Sequence, residues 1–327
     1  MPGNVNMPGS GKPTLQVSHD VVYIQDSTGS QQPYINIARQ FVRTNVATIL
    51  KPEFKARYAK VRFRVVAFRD HREQGDKWIV QNANPFVEDA GALEAQMAAL
   101  EASGGGDGPE AQIDALDAGL HSNFGQNAMK LFFLITDSPP HGIGIPGDVI
   151  PASHPDALTQ AVILKNLQAR KVILSVVGCQ PTIGYYKGRD GKPLAVDWYT
   201  DFARKTGGKF IPIANVTRNP TAMNNAFVGA VLHGGDSLAL VEKHGDYIIG
   251  ESYRGRSALV DTLHSKLSAE GEQCHELHCT DDHNVSYSHG PISRARVDEI
   301  VGKALRHQEL FMTEDQSDLM SSLLGPG

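Results

Sequence analysis

From about residue 15 to about residue 230, short apolar runs of strand length alternate with longer stretches of helical spacing. Residues 19–25 are mostly apolar, which fits a strand buried on both faces, as in a parallel sheet. Tyr34, Ile37, Ala38, Phe41, Val42 and Ile49 then recur at helical spacing. Further strands are expected over 61–68, 77–81, 131–136, 172–177 and 209–213. Helices are expected over 87–100, 111–120, 156–169 and 197–206, with Pro109 in the first turn of the second of these. Such alternation implies right-handed crossovers and an α/β fold: a doubly wound, mostly parallel central sheet flanked by helices, Rossmann-like. In Lys60-Val61-Arg62-Phe63-Arg64 the basic residues alternate with apolar ones, so they are expected on one exposed strand face.

The chain has 327 residues, enough for one large α/β domain and an extra segment. Three parts are expected. Residues 1–14, rich in Gly, Pro and Asn, form a flexible N-terminal arm; 15–230 form the α/β domain; 231–327 form a mainly helical C-terminal extension with a mobile end. Helices are expected there over 237–243, 257–267 and 293–310, the last amphipathic through Val297, Ile300, Val301, Ala304 and Leu305 and packed back on its own domain.

Ligands of such sheets bind beyond the carboxyl ends of the strands, where the strand order reverses. Asp26, Asp70 and Asp137 each follow an apolar run, so three strands aim carboxylates at one rim. Asp26, Thr28 and Ser30, spaced two apart in a turn, combine one carboxylate with two hydroxyls. Those are hard oxygen ligands of the kind Mg²⁺ takes. Read alone, the same residues also serve as turn formers and helix caps.

The pattern is larger than that turn. Asp26-x-Thr28-x-Ser30 is followed by Phe68-Arg69-Asp70-His71, then Gly104-Gly105-Gly106-Asp107-Gly108-Pro109-Glu110-Ala111, then Ile135-Thr136-Asp137-Ser138-Pro139-Pro140-His141-Gly142. In order and spacing this resembles the von Willebrand factor A family. It looks most like the branch found beside α-kinases, and Asp107-Gly108-Pro109-Glu110 is similar to the loop of integrin β I-like domains. The resemblance covers roughly 15–230. It implies a metal-ion-dependent adhesion site made by Asp26, Thr28, Ser30, Glu110 and Asp137, with the two aspartates acting partly through water. Glu110 stands where many members carry threonine, and Thr28 where serine is commoner. The expected cation is Mg²⁺, with Mn²⁺ or Ca²⁺ as alternatives that the extra carboxylate favours. Asp70 and Asp107 match a second cation site of the integrin β type that shares Glu110. Otherwise Asp70 pairs with Arg69, His71 or Arg72, and Asp107 caps the following helix. His141 is expected to make a local backbone hydrogen bond, because imidazole suits Mg²⁺ poorly.

The function expected from the resemblance is a cation-dependent protein-binding module, not an enzyme. Its partner is a protein presenting an acidic residue that completes the metal's coordination. Two other readings stay open. One is a metal-dependent hydrolase or phosphoryl-transfer enzyme in which the cation, beside Glu110 and His141, activates water. The other is a homo-oligomer in which one copy's acid, from Glu270, Glu272, Glu276, Asp281 or Asp282, fills the next copy's site.

Composition narrows the rest. Lys and Arg number 31 against 36 acids, a net charge of −5 without a basic cluster, which argues against a nucleic-acid surface. No apolar run reaches the length of a signal peptide or membrane span, and three cysteines are too few for a disulfide scaffold. A reducing, cytoplasmic setting without membrane insertion is therefore expected. Gly9-Ser10-Gly11-Lys12-Pro13 fails as a phosphate loop, since Pro13 stands where a hydroxyl is needed. Cys274-His275-x-x-His278-Cys279 with His283 raises a zinc site, but its spacing is not that of a standard finger; the other expectation is a loop or helix with solvated histidines.

Overall fold

The computed structural model describes residues 17–49, 58–150, 159–280 and 283–309. The expected arm, the start of the helix expected from Asp156, Asp281, Asp282, the phosphate-loop-like stretch and everything after Glu309 lie outside them.

β1 (Val17–Asp26) is followed by α1 (Gln32–Ile49) and β2 (Tyr58–Phe68). Next come the short β3 (Val80–Gln81), α2 (Ala90–Ala98), α3 (Gln112–Leu120) and β4 (Met129–Thr136). Then follow α4 (Gln160–Ala169), β5 (Val172–Gln180), α5 (Leu194–Thr206) and β6 (Phe210–Ala214). These strands form one six-stranded sheet in the order β3-β2-β1-β4-β5-β6. All neighbours pair parallel except β2 with β3. The fold is thus α/β, and the order reverses between β1 and β4.

The apolar strands are buried on both faces because each face carries helices. In β1, Val21 and Tyr23 point into a core with α1, α2 and the first turns of α6 (Pro220–Gly250), while Val22 and Ile24 point into a core with α3, α4 and α5. Period-two alternation therefore sends adjacent apolar residues into separate cores. Each fully buried side chain of this size contributes roughly 1.5–3 kcal/mol.

The same double coverage corrects the basic stripe of β2. Only Lys60 is exposed; Arg64 is buried and Arg62 largely so. Arg62 Nε and Nη2 donate to the buried Asp20 carboxylate at 2.7 and 2.6 Å. Arg64 donates to Ser122 Oγ at 2.9 Å and to Asn82 at 2.6 Å. Pro109 also precedes, rather than opens, its helix.

The C-terminal part is mainly helical: α6 runs on into α7 (Arg256–Ala269) and α8 (Arg294–Glu309). α6 is one helix of 31 residues, so residues 230 and 231 lie inside it. Its first half packs on the sheet through Met223, Phe227 and Val231. Beyond that, Leu240 and Ile248 join Leu263, Val297 and Val301 in a third core. Between α7 and α8 the His- and Cys-rich stretch forms an antiparallel hairpin, β7 (Gln273–Cys279) and β8 (Val285–Pro291), where a loop or helix was expected. No helix among the described residues is long and apolar enough to cross a membrane.

Candidate metal centre

β1 ends at Asp26 and β4 at Thr136, side by side where the strand order reverses. Asp26 is fully buried. Its Oδ1 accepts from Thr28 N at 2.9 Å and from Thr28 Oγ1 at 2.7 Å. Its Oδ2 accepts from Thr136 Oγ1 at 2.7 Å, tying the tip of β1 to that of β4. Thr136 is held in turn by Gln112 Nε2 and by Ser138 N, each at 3.1 Å. Ser30, exposed at the mouth, donates to Asp137 Oδ1 at 3.0 Å. The four residues expected from β1 and β4 thus form two hydroxyl–carboxylate pairs at one rim.

Glu110 reaches that rim by a different route. Its backbone forms an isolated parallel bridge with Pro140: Glu110 N donates to Pro139 O at 3.0 Å, and His141 N donates to Glu110 O at 3.2 Å. The glycine loop before it folds over the β1 turn, with Gly29 N donating to Gly104 O at 3.1 Å and Ser103 N to Ser27 O at 2.9 Å. Asp76 pins the loop by accepting from Gly105 N at 2.9 Å. Gly105, at φ +85°, sits so close that a Cβ there would lie 2.9 Å from Glu110 Oε1 and 3.2 Å from Thr28 Cβ. The left-handed backbone there favours glycine, and a Cβ would have to displace the Glu110 carboxyl.

The electrostatics fit a missing positive charge. Glu110 is 3% exposed and its Oε2 is buried with no hydrogen-bond partner. Burial first, then the carboxylates of Asp26, Asp70, Asp76 and Asp107, pushes its carboxyl up to about 11. Burial, and then Asp137, pushes Asp26 up to about 7. Acids packed this way resist ionisation unless a cation joins them. The donor set, carboxylates with two hydroxyls, suits a hard divalent ion. Asp26, Glu110 and Asp137 do not all bring ligand oxygens within 4.8 Å of one another.

A second group lies alongside. Asp70, Asp107 and His141 each bring one ligand atom within 4.8 Å of the others. Asp70 does not pair with Arg69 or Arg72. Its Oδ1 accepts from His71 N at 2.6 Å and faces His141 Nε2 at 2.7 Å, and its Oδ2 has no partner. Asp107 does not cap α3, whose N-cap position is held by Ala111 without a side-chain capping bond. It accepts instead from Val149 N at 3.2 Å. His141 makes no local backbone bond through its ring; its two nitrogens face two carboxylates, Asp70 and Asp148. Reading the sequence missed Thr136, Asp76 and Asp148. Thr136 was visible as the last residue of an apolar run, whereas Asp76 and Asp148 sit in loops with no periodic signal.

In the C-terminal hairpin, strand alternation puts Cys274 and His278 on one face and His275 and Cys279 on the other. Cys274 is buried and Cys279 exposed, and both are free. His275 Nδ1 faces Asp236 Oδ2 at 2.8 Å, and His278 Nε2 faces Ser288 Oγ at 2.8 Å. Among the described residues, this hairpin brings no three zinc-ligand atoms together.

No family model matches the chain. No curated protein matches it either. Among solved structures it is similar to a von Willebrand factor type A protein from Catenulispora acidiphila, at 17% identity and a TM-score of 0.43, covering 66% of this chain and 43% of that one. It is also similar to the pilus adhesin SpaC from Lactobacillus rhamnosus GG in an open conformation, at 13% identity and a TM-score of 0.45, covering 66% of this chain and 30% of that one. The chain therefore spans less than half the length of either neighbour.

Proposed function

We propose that this protein is a divalent-cation-dependent protein-binding module of the von Willebrand factor A type, with its adhesion site at the β1–β4 rim. Asp26, Thr28, Ser30, Glu110 and Asp137 would hold Mg²⁺, or Mn²⁺ or Ca²⁺ in its place. When bound, the ion supplies a positive pole for an acidic side chain of a partner protein. The supporting observation is the buried, unpartnered Glu110 Oε2, packed beside Thr28 by the Gly105 approach and repelled by four neighbouring carboxylates. That arrangement is costly without a cation and gains from one.

The surroundings favour binding over turnover. His141, the residue a hydrolytic reading would use as a base, is engaged by carboxylates on both nitrogens. Beside Asp107 opens a cleft of about 390 Å³, lined by Pro109, Ile145, Pro146, Tyr185, Tyr186 and Lys187. Tyr185 and Val149, 70% and 50% exposed, offer apolar area at the same rim. The proposed setting is cytoplasmic, with the acid supplied by another protein.

A panel of immobilised peptides, each carrying one Asp or Glu, tests this. In Mg²⁺ the wild-type chain is expected to retain a subset of them. EDTA or Asp26→Ala is expected to abolish retention, a loss of at least tenfold in affinity. Retention that survives both changes would sink the proposal.

A further inference from the structure

We propose that Asp70, Asp107 and His141 form a separate metal site that takes zinc or another late first-row divalent ion ahead of Mg²⁺ and Ca²⁺. The inference does not depend on the adhesion site, because none of its ligands belongs to that site. It also departs from an all-oxygen second cation site, because one of the three converging ligand atoms is an imidazole nitrogen.

Three observations carry it. First, the ligand atoms already converge: one oxygen each from Asp70 and Asp107 and a ring nitrogen of His141 lie within 4.8 Å of one another. Second, two oxygens of the group are buried with nothing bound to them. Asp70 is 0% exposed, and its Oδ2 has no partner; Asp107 Oδ1 likewise has none. Buried polar atoms without partners are rare and call for an explanation such as an ion. Third, the histidine is oriented as a metal ligand is. Its Nδ1 faces Asp148 Oδ1 at 2.7 Å. Asp148 is fixed in turn by Gly142 N at 2.7 Å and Ile150 N at 2.9 Å. A carboxylate holding one ring nitrogen turns the other toward the ion, and the same device orients ligating histidines widely. Here the other nitrogen, Nε2, points into the acids.

The donor set decides the ion. Imidazole suits Zn²⁺, Ni²⁺ and similar ions, whereas carboxylate-only sites suit Mg²⁺, Ca²⁺ and Mn²⁺. Two carboxylates and one imidazole leave room for water in a four-coordinate shell. On binding, the proton on Nε2 leaves to solvent and the metal takes its place against Asp70. His141 N also donates to Glu110 O at 3.2 Å, so metal here would stiffen the segment that positions Glu110 at the adjoining rim.

The test uses the full, untagged chain carrying Asp137→Ala, so that the adhesion site is disabled. Co²⁺ alone is titrated while its visible d–d absorption is followed, and Zn²⁺ or Mg²⁺ is then added as competitor. The expected result is a saturable band that Zn²⁺ displaces and a large excess of Mg²⁺ does not. Adding His141→Gln is expected to weaken Co²⁺ binding at least tenfold. Asp148→Asn, which replaces the carboxylate facing His141 Nδ1 and leaves all three proposed ligands in place, is expected to weaken it by roughly 10- to 100-fold. Asp107→Asn, an isosteric change at a half-buried position, should cost at least tenfold with an unchanged circular dichroism spectrum. Undiminished Co²⁺ binding in His141→Gln or Asp107→Asn would overturn the proposal, as would displacement by Mg²⁺ as readily as by Zn²⁺. Failure of the adhesion site reads differently: the wild type would then show no Mg²⁺ response while this band persists.

Discussion

Asp137→Ala is expected to erase the thermal stabilisation that Mg²⁺ gives the wild-type chain. An ion that binds only the folded state at about 100 times its dissociation constant adds about 2.7 kcal/mol. For a chain of this size that corresponds to a rise of about 4 °C in Tm. In EDTA the variant should be no less stable than the wild type. Asp137 repels Asp26, whose carboxyl burial and that repulsion push up to about 7, so its removal relieves a cost. The pairing of a lost metal response with an unchanged metal-free Tm separates a ligand from a structural aspartate. Differential scanning calorimetry with EDTA and with excess Mg²⁺ reads both. A variant that keeps its shift, or that melts early in EDTA, would speak against the assigned role.

Gly104→Ala is expected to destabilise the protein by about 2–4 kcal/mol, the sum of left-handed backbone strain and a steric clash. Gly104 has φ +81°, and a Cβ there would lie 1.9 Å from Asp76 Oδ1. Asp76 cannot move without releasing Gly105 N, the contact that lays the loop over Thr28 and beside Glu110. The metal response should therefore fall together with stability. Gly144→Ala is the matched control: its φ is +94°, but nothing lies within 4 Å of the added Cβ. It should cost only the strain, about 1 kcal/mol. Urea unfolding of the two variants makes the comparison, and equal losses would show that the Asp76 contact does not hold the loop.

The sheet was legible because burial on both faces turns strands into unbroken apolar runs, and β1, β2, β4 and β5 each carry one. The strand-end positions of Asp26 and Asp137 follow from the same signal. Glu110 was legible only through the order of motifs. Nothing in local spacing shows that its backbone pairs with Pro140, a contact between segments 30 residues apart. Arg62 and Arg64 misled because alternation reports on one face, and the charges found partners in Asp20, Ser122 and Asn82 beneath the helices. α6 runs unbroken through Gly234 and Gly235, across the boundary expected at 230/231. A Cβ at Gly234 would lie 3.0 Å from the Leu131 side chain, so close packing on β4 accounts for a glycine there. The hairpin was hidden because His275, a polar residue, fills a buried strand position and meets Asp236 there.

Crystals soaked in Mn²⁺ and measured for anomalous scattering put the central idea to its most direct trial. A peak bounded by the Thr28 and Ser30 hydroxyls and the Glu110 carboxylate, absent from crystals of Asp137→Ala, is the outcome expected. Millimolar Mn²⁺ with no peak at that rim, while Glu110 Oε2 stays buried and unpartnered, would contradict it.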